Sequence, residues 1–471
     1  MGNVFFATMD FPAFPSSCVC SANASSSFSY SDPMAVETAQ KSHYEERVLP
    51  IIHGQNKESY EFEFNSTEDT FLCMNSLSMH LQVRITRENG KAITDKSSEK
   101  KAATSANAIP GEAPKTVVEA ADFVCPVNNL ISSLWDNIST KLNGQLIAEA
   151  SAKNIPHKAM IETLLSHEEK DSSKLVAGGF YLDQRQFHDA HKGNSGFIKR
   201  KPLYQKGKSV DLVGPICNDF LRSDNHLAPG NKLSLKFTRA SDAFVMLTSD
   251  KFKSRKYKLF IEDVCIYARR IRLHDEVLPS ILRSSLPQKY ASTYTELADY
   301  EIPKGQRKVI QKMFDRTRLP NHVVIALVSA TAFNGAYTKN PFRFQDYDLC
   351  HLFLKVGDKS IPAIPLEPSF QARLFTREYF RLFTECGKMG GTRGNLIDEE
   401  DFHQGTTLFP FDLSPDQCNG GHIHTTADGT MSVEIAFAKP LPETVTLLVF
   451  SSFAGVVSIH PITKFPTLTK L

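Results

Sequence analysis

The sequence predicts an all-β protein made of two β-rich modules in tandem, with short helices as decorations. Three observations indicate this. Apolar and polar residues alternate at period two in several segments, helical periodicity is confined to two short stretches, and a proline-containing polar stretch divides the strand-rich part of the chain near its middle. The length of 471 residues is also enough for two or three domains.

The clearest strand signal runs from Leu77 to Ile85, where apolar residues occupy every second position. Such alternation is typical of a strand with one buried face. The pattern recurs in three further segments, 233–237, 257–261 and 431–437. Two continuous apolar runs, 323–328 and 445–450, indicate strands that are buried on both faces.

Helical spacing is found in two places. Pro156 begins a segment in which Met160 and Leu164 lie four positions apart, as expected for a short amphipathic helix. The second helix is predicted to begin after Ser369 as its N-cap and to end before Gly387. Both are too short to change the all-β assignment.

These signals predict four parts along the chain. Residues 1–45 are rich in serine and are predicted to be a flexible arm. Residues 46–273 and 304–471 are the two β-modules, and residues 274–303, with three prolines, are the linker between them. The polar segment 88–120 is predicted to be a long insertion in the first module.

Composition excludes several classes of function. The formal net charge is +2, so the chain has no strong overall attraction to nucleic acid or to anionic membranes. The nine cysteines are widely spaced and fit neither a zinc framework nor a disulfide scaffold, which favours reduced and mostly buried thiols. The sequence predicts neither a secretory signal nor a membrane span.

His422 and His424 are the strongest metal-ligand candidates, because alternate residues of a strand point the same way. A cupin-type metalloenzyme would also need a nearby carboxylate, but the next one, Asp428, lies in a predicted Asp-Gly turn. The favoured interpretation is a hairpin-rich loop without a metal. No nucleotide-binding, hydrolase or metalloprotease motif occurs in the sequence, which therefore predicts no catalytic residues and no cofactor.

Basic residues cluster at 199–201, at 255–256 and at Arg269, Arg270 and Arg272. In alternating strands such residues usually form the solvated face, and this is the favoured interpretation. The alternative assigns Arg269, Arg270 and Arg272 to a surface that contacts the phosphate backbone of nucleic acid, in a salt-sensitive way.

Several short segments follow one another in an order that matches a known family. The first half contains LNGQLI (142–147), PHKAMIETLLS (156–166), DLVGPICNDF (211–220) and the segment 227–247. The second half contains the segment 319–344, with Phe333-Asn334-Gly335 and Lys339-Asn340-Pro341-Phe342, then REYFRLF (377–383), Gly394-Asn395 and LFPFDLSPD (408–416). Over residues 46–465 the chain thereby resembles the major capsid proteins of Polinton/Maverick elements and adintoviruses, relatives of the adenovirus hexon.

The resemblance implies two tandem jelly-roll β-barrels, that is, a double jelly roll. It also implies a structural, hexon-like subunit that forms homotrimers in an icosahedral shell, with a penton-like protein as a partner and packaged DNA contacted through its backbone. The location implied is the virion capsid, after synthesis in the host cytoplasm, with nuclear assembly as one option. The loops 88–120, 170–210 and 384–432 are expected on the outer surface. One departure is Gly214-Pro215-Ile216-Cys217, where relatives usually carry a Gly-Arg-Leu/Ile-His run.

Two other functions remain open from the sequence. The first is a domesticated jelly-roll protein of cellular use that binds a carbohydrate or a protein partner, which would be a stable monomer with a binding groove. The second, with less support, is a cupin-like metalloenzyme that uses His422 and His424, which would retain stoichiometric metal through purification.

Overall fold

A computed structural model describes residues 40–470 of the chain except residues 53, 66–68, 95–97, 102–115, 120, 148–151, 184–187, 224, 250–254, 277, 280–286, 387–393 and 415–427. Most of the predicted arm and the predicted helix end at Gly387 therefore lie outside the described residues.

The first half contains thirteen described strands. They are β1 (Gln40–Val48), β2 (Ser59–Asn65), β3 (Thr70–Arg87), β4 (Ser98–Lys101), β5 (Thr116–Glu119), β6 (Val124–Pro126), β7 (Trp135–Leu142), β8 (Gln145–Leu146), β9 (Ala152–Lys153), β10 (Val210–Pro215), β11 (Lys232–Arg239), β12 (Met246–Thr248) and β13 (Tyr257–Leu273).

The second half contains nine described strands. They are β14 (Gln288–Ile302), β15 (Lys308–Arg318), β16 (His322–Ser329), β17 (Leu349–Val356), β18 (Lys359–Leu366), β19 (Leu408–Asp412), β20 (Asp428–Phe437), β21 (Val445–Ile459) and β22 (Pro466–Lys470).

The described α-helices are short. They are α1 (Leu130–Ser133), α2 (Ile155–Ser166), α3 (Ser172–Leu175), α4 (Ser195–Arg200), α5 (Asp242–Val245), α6 (Ala330–Phe333), α7 (Thr376–Thr384) and α8 (Glu399–Gln404). Turns of 3₁₀-helix cover Glu169–Asp171, Val176–Gly178, Lys201–Gly207 and Phe220–Arg222. No helix in the described ranges is both long and apolar enough to cross a lipid bilayer.

Each half contains two main sheets, and we call the eight strands in the orders given next its framework strands. The first half pairs its strands in the orders β1-β13-β3-β10 and β2-β11-β7-β8, and the second half in the orders β14-β21-β16-β19 and β15-β20-β17-β18. When the eight framework strands are counted along the chain within each half, both halves have the orders 1-8-3-6 and 2-7-4-5. This shared connectivity is a jelly roll, and it confirms the predicted double jelly roll. Within the described part of the chain, each sheet takes its strands from one half only.

The predicted alternation produces the core of the first roll. On β3, the side chains of Leu77, Met79, Leu81, Val83 and Ile85 are all buried, while the residues between them are exposed or half-buried. Fully burying such a side chain stabilises the fold by about 1.5–3 kcal/mol. The continuous apolar run on β16 is likewise confirmed as a strand buried on both faces, because all eight of its residues are buried.

Two strands begin inside segments that the sequence assigns to the arm and to the linker. β14 begins at Gln288, inside the stretch predicted as the linker, and pairs with β21 along its whole length from Gln288 to Ile302. β1 begins at Gln40, inside the predicted arm, and pairs with β13. Both are edge strands held by backbone hydrogen bonds to one neighbour. β1 is polar and mostly exposed, and the apolar positions of β14 are interrupted by Ser292 and Glu296, so neither shows the clear alternation by which strands are recognised in a sequence.

The two predicted helices had different outcomes. α2 begins at Ile155, with Pro156 in its first turn, and ends at Ser166, as predicted. The second helix begins at Thr376 rather than after Ser369. Ser369 and Leu374 exchange backbone hydrogen bonds in an isolated bridge, which closes a turn where the sequence predicts the first helical residues.

The cysteines agree with the prediction as far as they are described. All six described cysteines are free, and five of them are buried: Cys73, Cys125, Cys217, Cys265 and Cys386. The sixth, Cys350, is half-buried. The remaining three, Cys18, Cys20 and Cys418, lie outside the described residues.

Candidate functional site

The metal candidates His422 and His424 fall within residues 415–427 and so lie outside the described residues. Among the residues that the structure describes, no group of three or more histidine, cysteine, aspartate or glutamate side chains is arranged to hold a metal ion. The metal hypothesis therefore stays a prediction that depends on the His-x-His spacing alone.

Arg269, Arg270 and Arg272, for which a surface that contacts nucleic acid was the alternative interpretation, are not equally exposed on β13. Arg270 is only 3% exposed, and its guanidinium donates to Glu46 Oε2 at 2.8 Å and to the Asn65 carbonyl at 3.0 Å. Arg269 and Arg272 are exposed. Burial removes Arg270 from this surface, because its side chain continues the buried alternation of Val264, Ile266 and Ala268 along β13.

The basic cluster at 199–201 also contains a buried side chain. Arg200 is 2% exposed, its Nη2 lies 3.1 Å from Asp183 Oδ1, and its Nη1 donates to the Tyr181 carbonyl at 2.9 Å. The prediction that this cluster lies on a solvated face was therefore wrong for Arg200. Arg200 is the last residue of α4, and it lies on the buried side of that helix.

A buried cluster of polar groups joins the two rolls, and we call Lys158, Glu162, Asp219, Arg222 and Thr295 the junction cluster. Lys158 Nζ donates to Asp219 Oδ2 at 2.6 Å. The same carboxylate oxygen accepts from the Thr295 backbone N–H at 2.7 Å and from Thr295 Oγ1 at 3.0 Å. Arg222 forms an ion pair with Glu162. Because Thr295 lies on β14 and the other four residues lie in the first roll, Asp219 bonds across the boundary between the rolls.

Burial and charge act in opposite directions on the central pair of the junction cluster. Burial alone would raise the pKa of Asp219, but the Lys158 ammonium outweighs it and holds this pKa below its usual value. Burial would lower the pKa of Lys158, yet the Asp219 carboxylate keeps it above its usual value. Both groups are therefore ionised at neutral pH, and each buried charge depends on the other.

The Lys339–Phe342 segment docks the second roll onto the first. Asn340 is buried, its Nδ2 donates to the His188 carbonyl at 2.6 Å, and its backbone N–H donates to Asp189 Oδ1 at 2.8 Å. Arg343 Nη1 pairs with Asp189 Oδ2 at 3.2 Å. The sequence motif alone could not predict these contacts, because the partners of Asn340 lie more than 150 positions away.

Aromatic rings surround His157 of α2 at the same boundary. The ring centroids of Phe244, Phe333 and Phe342 lie 5.6, 5.0 and 5.6 Å from that of His157. Burial lowers the pKa of His157 to about 4. The neutral ring therefore donates its Nε2 hydrogen to the Pro341 carbonyl, 3.1 Å away. Two of these rings come from the second roll, so apolar packing and a hydrogen bond together join the rolls here.

Gly335 permits a close backbone contact between the rolls. Its φ is +93°, a conformation that favours glycine, and a Cβ at this position would lie 3.1 Å from the backbone nitrogen of Phe244. The Phe333-Asn334-Gly335 motif therefore brings the second roll against α5 of the first.

Helices α2 and α7 occupy equivalent positions, because each lies between the fifth and sixth framework strands of its roll. The second roll packs on α2, and ten of its twelve residues are buried. In contrast, α7 buries only Glu378 and Leu382 of its nine residues. Phe380 is 51% exposed, and Leu374, just before the helix, is 69% exposed. Thus α7 presents apolar side chains at a position where its counterpart has a partner.

The first framework strands of the two rolls, β1 and β14, also differ in how much of their surface is covered. The first roll packs on β14, where Tyr290 Oη accepts from the Ala228 backbone N–H at 3.2 Å and Asp299 accepts from Asn154 Nδ2 at 3.3 Å. Seven of the nine residues of β1 are exposed, and Tyr44 is 45% exposed. β14, which is bonded to the other roll, therefore has a mostly exposed counterpart in β1.

Comparison with models of known protein families gives no match. Among curated proteins, an uncharacterised protein of Caenorhabditis elegans is 24% identical over 343 residues, which cover 70% of this chain and 78% of that protein.

Solved structures with the same fold come from virus particles and their capsid proteins. A chain of the Sputnik virophage structure aligns with a TM-score of 0.61 at 10% identity, covering 98% of this chain and 95% of the virophage chain. The mavirus major capsid protein aligns with a TM-score of 0.54 at 10% identity, covering 96% of this chain and 95% of its own. The Faustovirus major capsid protein gives 0.53 at 9% identity, covering 90% and 92%. The chain therefore has the double jelly-roll fold that is found in viral major capsid proteins.

Proposed function

We propose that this chain is a structural capsid subunit, a hexon-like major capsid protein that assembles as a homotrimer in an icosahedral shell. The alignment with the mavirus major capsid protein carries the proposal, because it covers 96% of this chain and 95% of that one. A fold by itself does not assign a function. Agreement over both rolls and their connecting segments nevertheless favours the same structural role, and the proposal assigns the chain no enzymatic activity.

The unequal burial of equivalent surfaces supports a ring of three chains. Within one chain, Glu162 of α2 in the first roll accepts a hydrogen bond from Thr295 Oγ1 of β14 in the second roll, 3.5 Å away. In a trimer, α7 of each second roll would pack on β1 of the next chain and so repeat this contact. Six similar rolls would then surround one axis, and Leu374, Phe380 and Tyr44 would be covered. Closed cyclic assemblies use the same pair of surfaces at every contact in this way.

We further propose that the chain belongs to the Polinton/Maverick and adintovirus type of major capsid protein. The ordered motifs over residues 46–465 support this assignment, and the relative in Caenorhabditis elegans supports an origin in animal genomes. The proposal places the protein in the virion capsid after synthesis in the host cytoplasm, with nuclear assembly as one option. Its partners would be other copies of itself and a penton-like protein. The exposed Arg269 and Arg272 would contact the phosphate backbone of packaged DNA.

Light scattering of the purified chain tests the trimer. We expect a mass three times that of the 52.6 kDa chain, and trimeric particles in negative-stain images. The melting temperature should rise with protein concentration, because mass action links folding to assembly. A species of 52.6 kDa that persists to high micromolar concentration would contradict the proposal.

A charge at Phe380 tests the surface assigned to the trimer contact. We expect Phe380→Glu to yield folded protein that remains monomeric, because an unpaired carboxylate would be buried in the contact. The monomer should keep its fold, since Phe380 is 51% exposed in a single chain. Sedimentation and circular dichroism measure the two properties separately.

The matched control is Ile462→Glu, which puts the same charge at an apolar position outside α7 and β1 that is 84% exposed. It should remain trimeric. If Phe380→Glu still formed a trimer of unchanged stability, the proposed contact between α7 and β1 would be contradicted. Whether the chain forms a trimer at all is tested by the mass measurement.

A domesticated binding protein is the second candidate, and one observation favours it. The relative at 24% identity belongs to an animal, Caenorhabditis elegans, so chains of this kind occur outside viruses. A stable monomer in the mass measurement would make this candidate the leading one, with a carbohydrate or a protein as its partner.

A further inference from the structure

A polar cleft of about 460 Å³ opens in the second roll. Its walls come from the segment before β17, the end of α8 and the loop between β20 and β21. Clefts of this volume fall in the range that holds small ligands. The side chains with hydrogen-bonding groups that line the cleft include Arg343, Gln345, Asp346, Asp348, His403 and Lys439.

The basic side chains of this cleft already face carboxylate groups. His403 Nδ1 lies 3.2 Å from Asp346 Oδ2, and Lys439 Nζ lies 3.3 Å from Asp348 Oδ2. Arg343 pairs with Asp189 outside the cleft, as described above. An ionic ligand would have to compete with these pairs. A neutral ligand would keep them, because carboxylates and cationic nitrogens retain further hydrogen-bonding capacity while paired.

Surrounding contacts hold the two cleft carboxylates in place. Asp346 Oδ1 accepts from the Asp348 backbone N–H at 2.7 Å, and Asp348 Oδ2 also accepts from Gln371 Nε2 at 3.0 Å. The His403 ring stacks on Phe370, with centroids 5.6 Å apart and planes 13° from parallel. A site whose polar groups are fixed before binding loses less conformational entropy when the ligand arrives.

The backbone of the cleft is strained. Tyr347 and Asp348 are consecutive non-glycine residues with φ of +48° and +54°. Each such residue costs about 1–3 kcal/mol, and conformations of this kind concentrate at ligand-binding sites. Because Tyr347 lies between the two carboxylate residues and Asp348 is one of them, this backbone conformation sets how Asp346 and Asp348 are presented to the cleft.

We propose that this cleft binds a neutral sugar residue. Its hydroxyl groups would donate to Asp346 and Asp348 and accept from Arg343, Gln345 and Lys439. Pro440 and Pro442, which also line the cleft, would contact the C–H face of the ring. A sugar matches this set of groups because each hydroxyl both donates and accepts, and because the molecule has no charge to disturb the ion pairs. The inference does not require the trimer, so a failure of either proposal leaves the other standing.

Saturation-transfer NMR on the full chain tests the site, with glucose, galactose, mannose and N-acetylglucosamine as probes. We expect saturable binding of at least one neutral sugar and no preference for sialic acid, whose carboxylate would oppose Asp346 and Asp348. Asp346→Asn should weaken binding by about tenfold, as the loss of a charged acceptor implies. Lys439→Ala should also weaken it and should fold normally, because this lysine side chain is 64% exposed.

The control is Asp315→Asn, which removes a carboxylate from the exposed Lys312–Asp315 pair outside the cleft and should leave sugar binding unchanged. A cooperative thermal unfolding transition in each variant would show that the variant is folded. The proposal is overturned if none of the four sugars binds, if sialic acid binds better than all of them, or if folded Asp346→Asn and Lys439→Ala both bind as the parent does.

Discussion

Replacing Asp219 with alanine is expected to lower the free energy of unfolding by about 3–5 kcal/mol, because removal of one partner leaves the other buried charge uncompensated. That other charge is Lys158, only 1% exposed. The Thr295 backbone N–H would also lose its acceptor. Urea unfolding at neutral pH, followed by circular dichroism, measures the change.

Asp275→Ala is the matched control for this experiment. Asp275 pairs with Lys41 at 3.1 Å, but the two side chains are 83% and 46% exposed. Exposed pairs contribute about 0–1 kcal/mol, so the control should unfold almost as the parent does. If Asp219→Ala lost no more stability than Asp275→Ala, the junction cluster would not hold the two rolls together.

The second large effect is expected at Asp122, which follows the predicted insertion and whose buried carboxylate bonds to the end of β3 and the start of β13. Asp122 Oδ2 accepts from Arg87 Nη2 at 2.8 Å, and Oδ1 accepts from Arg255 Nη1 at 2.7 Å and from Tyr257 Oη at 2.9 Å. Asp122→Ala should also lower the free energy of unfolding by about 3–5 kcal/mol, because two arginines lose their shared partner. The half-exposed pair Arg47–Asp263 provides the control, Asp263→Ala.

The Asp122 carboxylate also makes the free energy of unfolding depend on pH in the acidic range. Burial would raise the pKa of Asp122, but hydrogen bonds from Thr94, Arg87, Tyr257 and Arg255 outweigh it and hold this pKa below its usual value. A group with a lowered folded pKa stabilises the protein above its unfolded pKa of about 3.9, and this contribution is lost as the pH falls through the folded pKa.

Acid unfolding of the parent and of Asp122→Asn measures this contribution. The free energy of unfolding of the parent should fall below about pH 4, where the unfolded state takes up the proton more readily. Asp122→Asn cannot be protonated in this way, so its curve should be flatter. Parallel curves for the two proteins below pH 4 would show that Asp122 does not contribute to the acid sensitivity.

Local patterns in the sequence were enough to predict the fold class, the two-module organisation and one helix. The alternation from Leu77 to Ile85 predicts β3, and the spacing of Met160 and Leu164 after Pro156 predicts α2. These features could be found because burial of one face sets a period that neighbouring residues share. The identity of each module as a jelly roll came from the family resemblance, and the equal strand orders of the two halves confirm it.

Tertiary structure alone decided the features that depend on partners far along the chain. β1 and β14 are edge strands that pair through backbone hydrogen bonds with β13 and β21. Arg270 bonds to Glu46 and to the Asn65 carbonyl, both more than 200 positions away, and Asp219 bonds to Thr295 across the boundary between the rolls. Strand pairing between distant residues and buried charge pairs leave no periodic trace in the local sequence. Residue types and their spacing therefore determined the two rolls, whereas the packing of one roll on the other created the junction cluster.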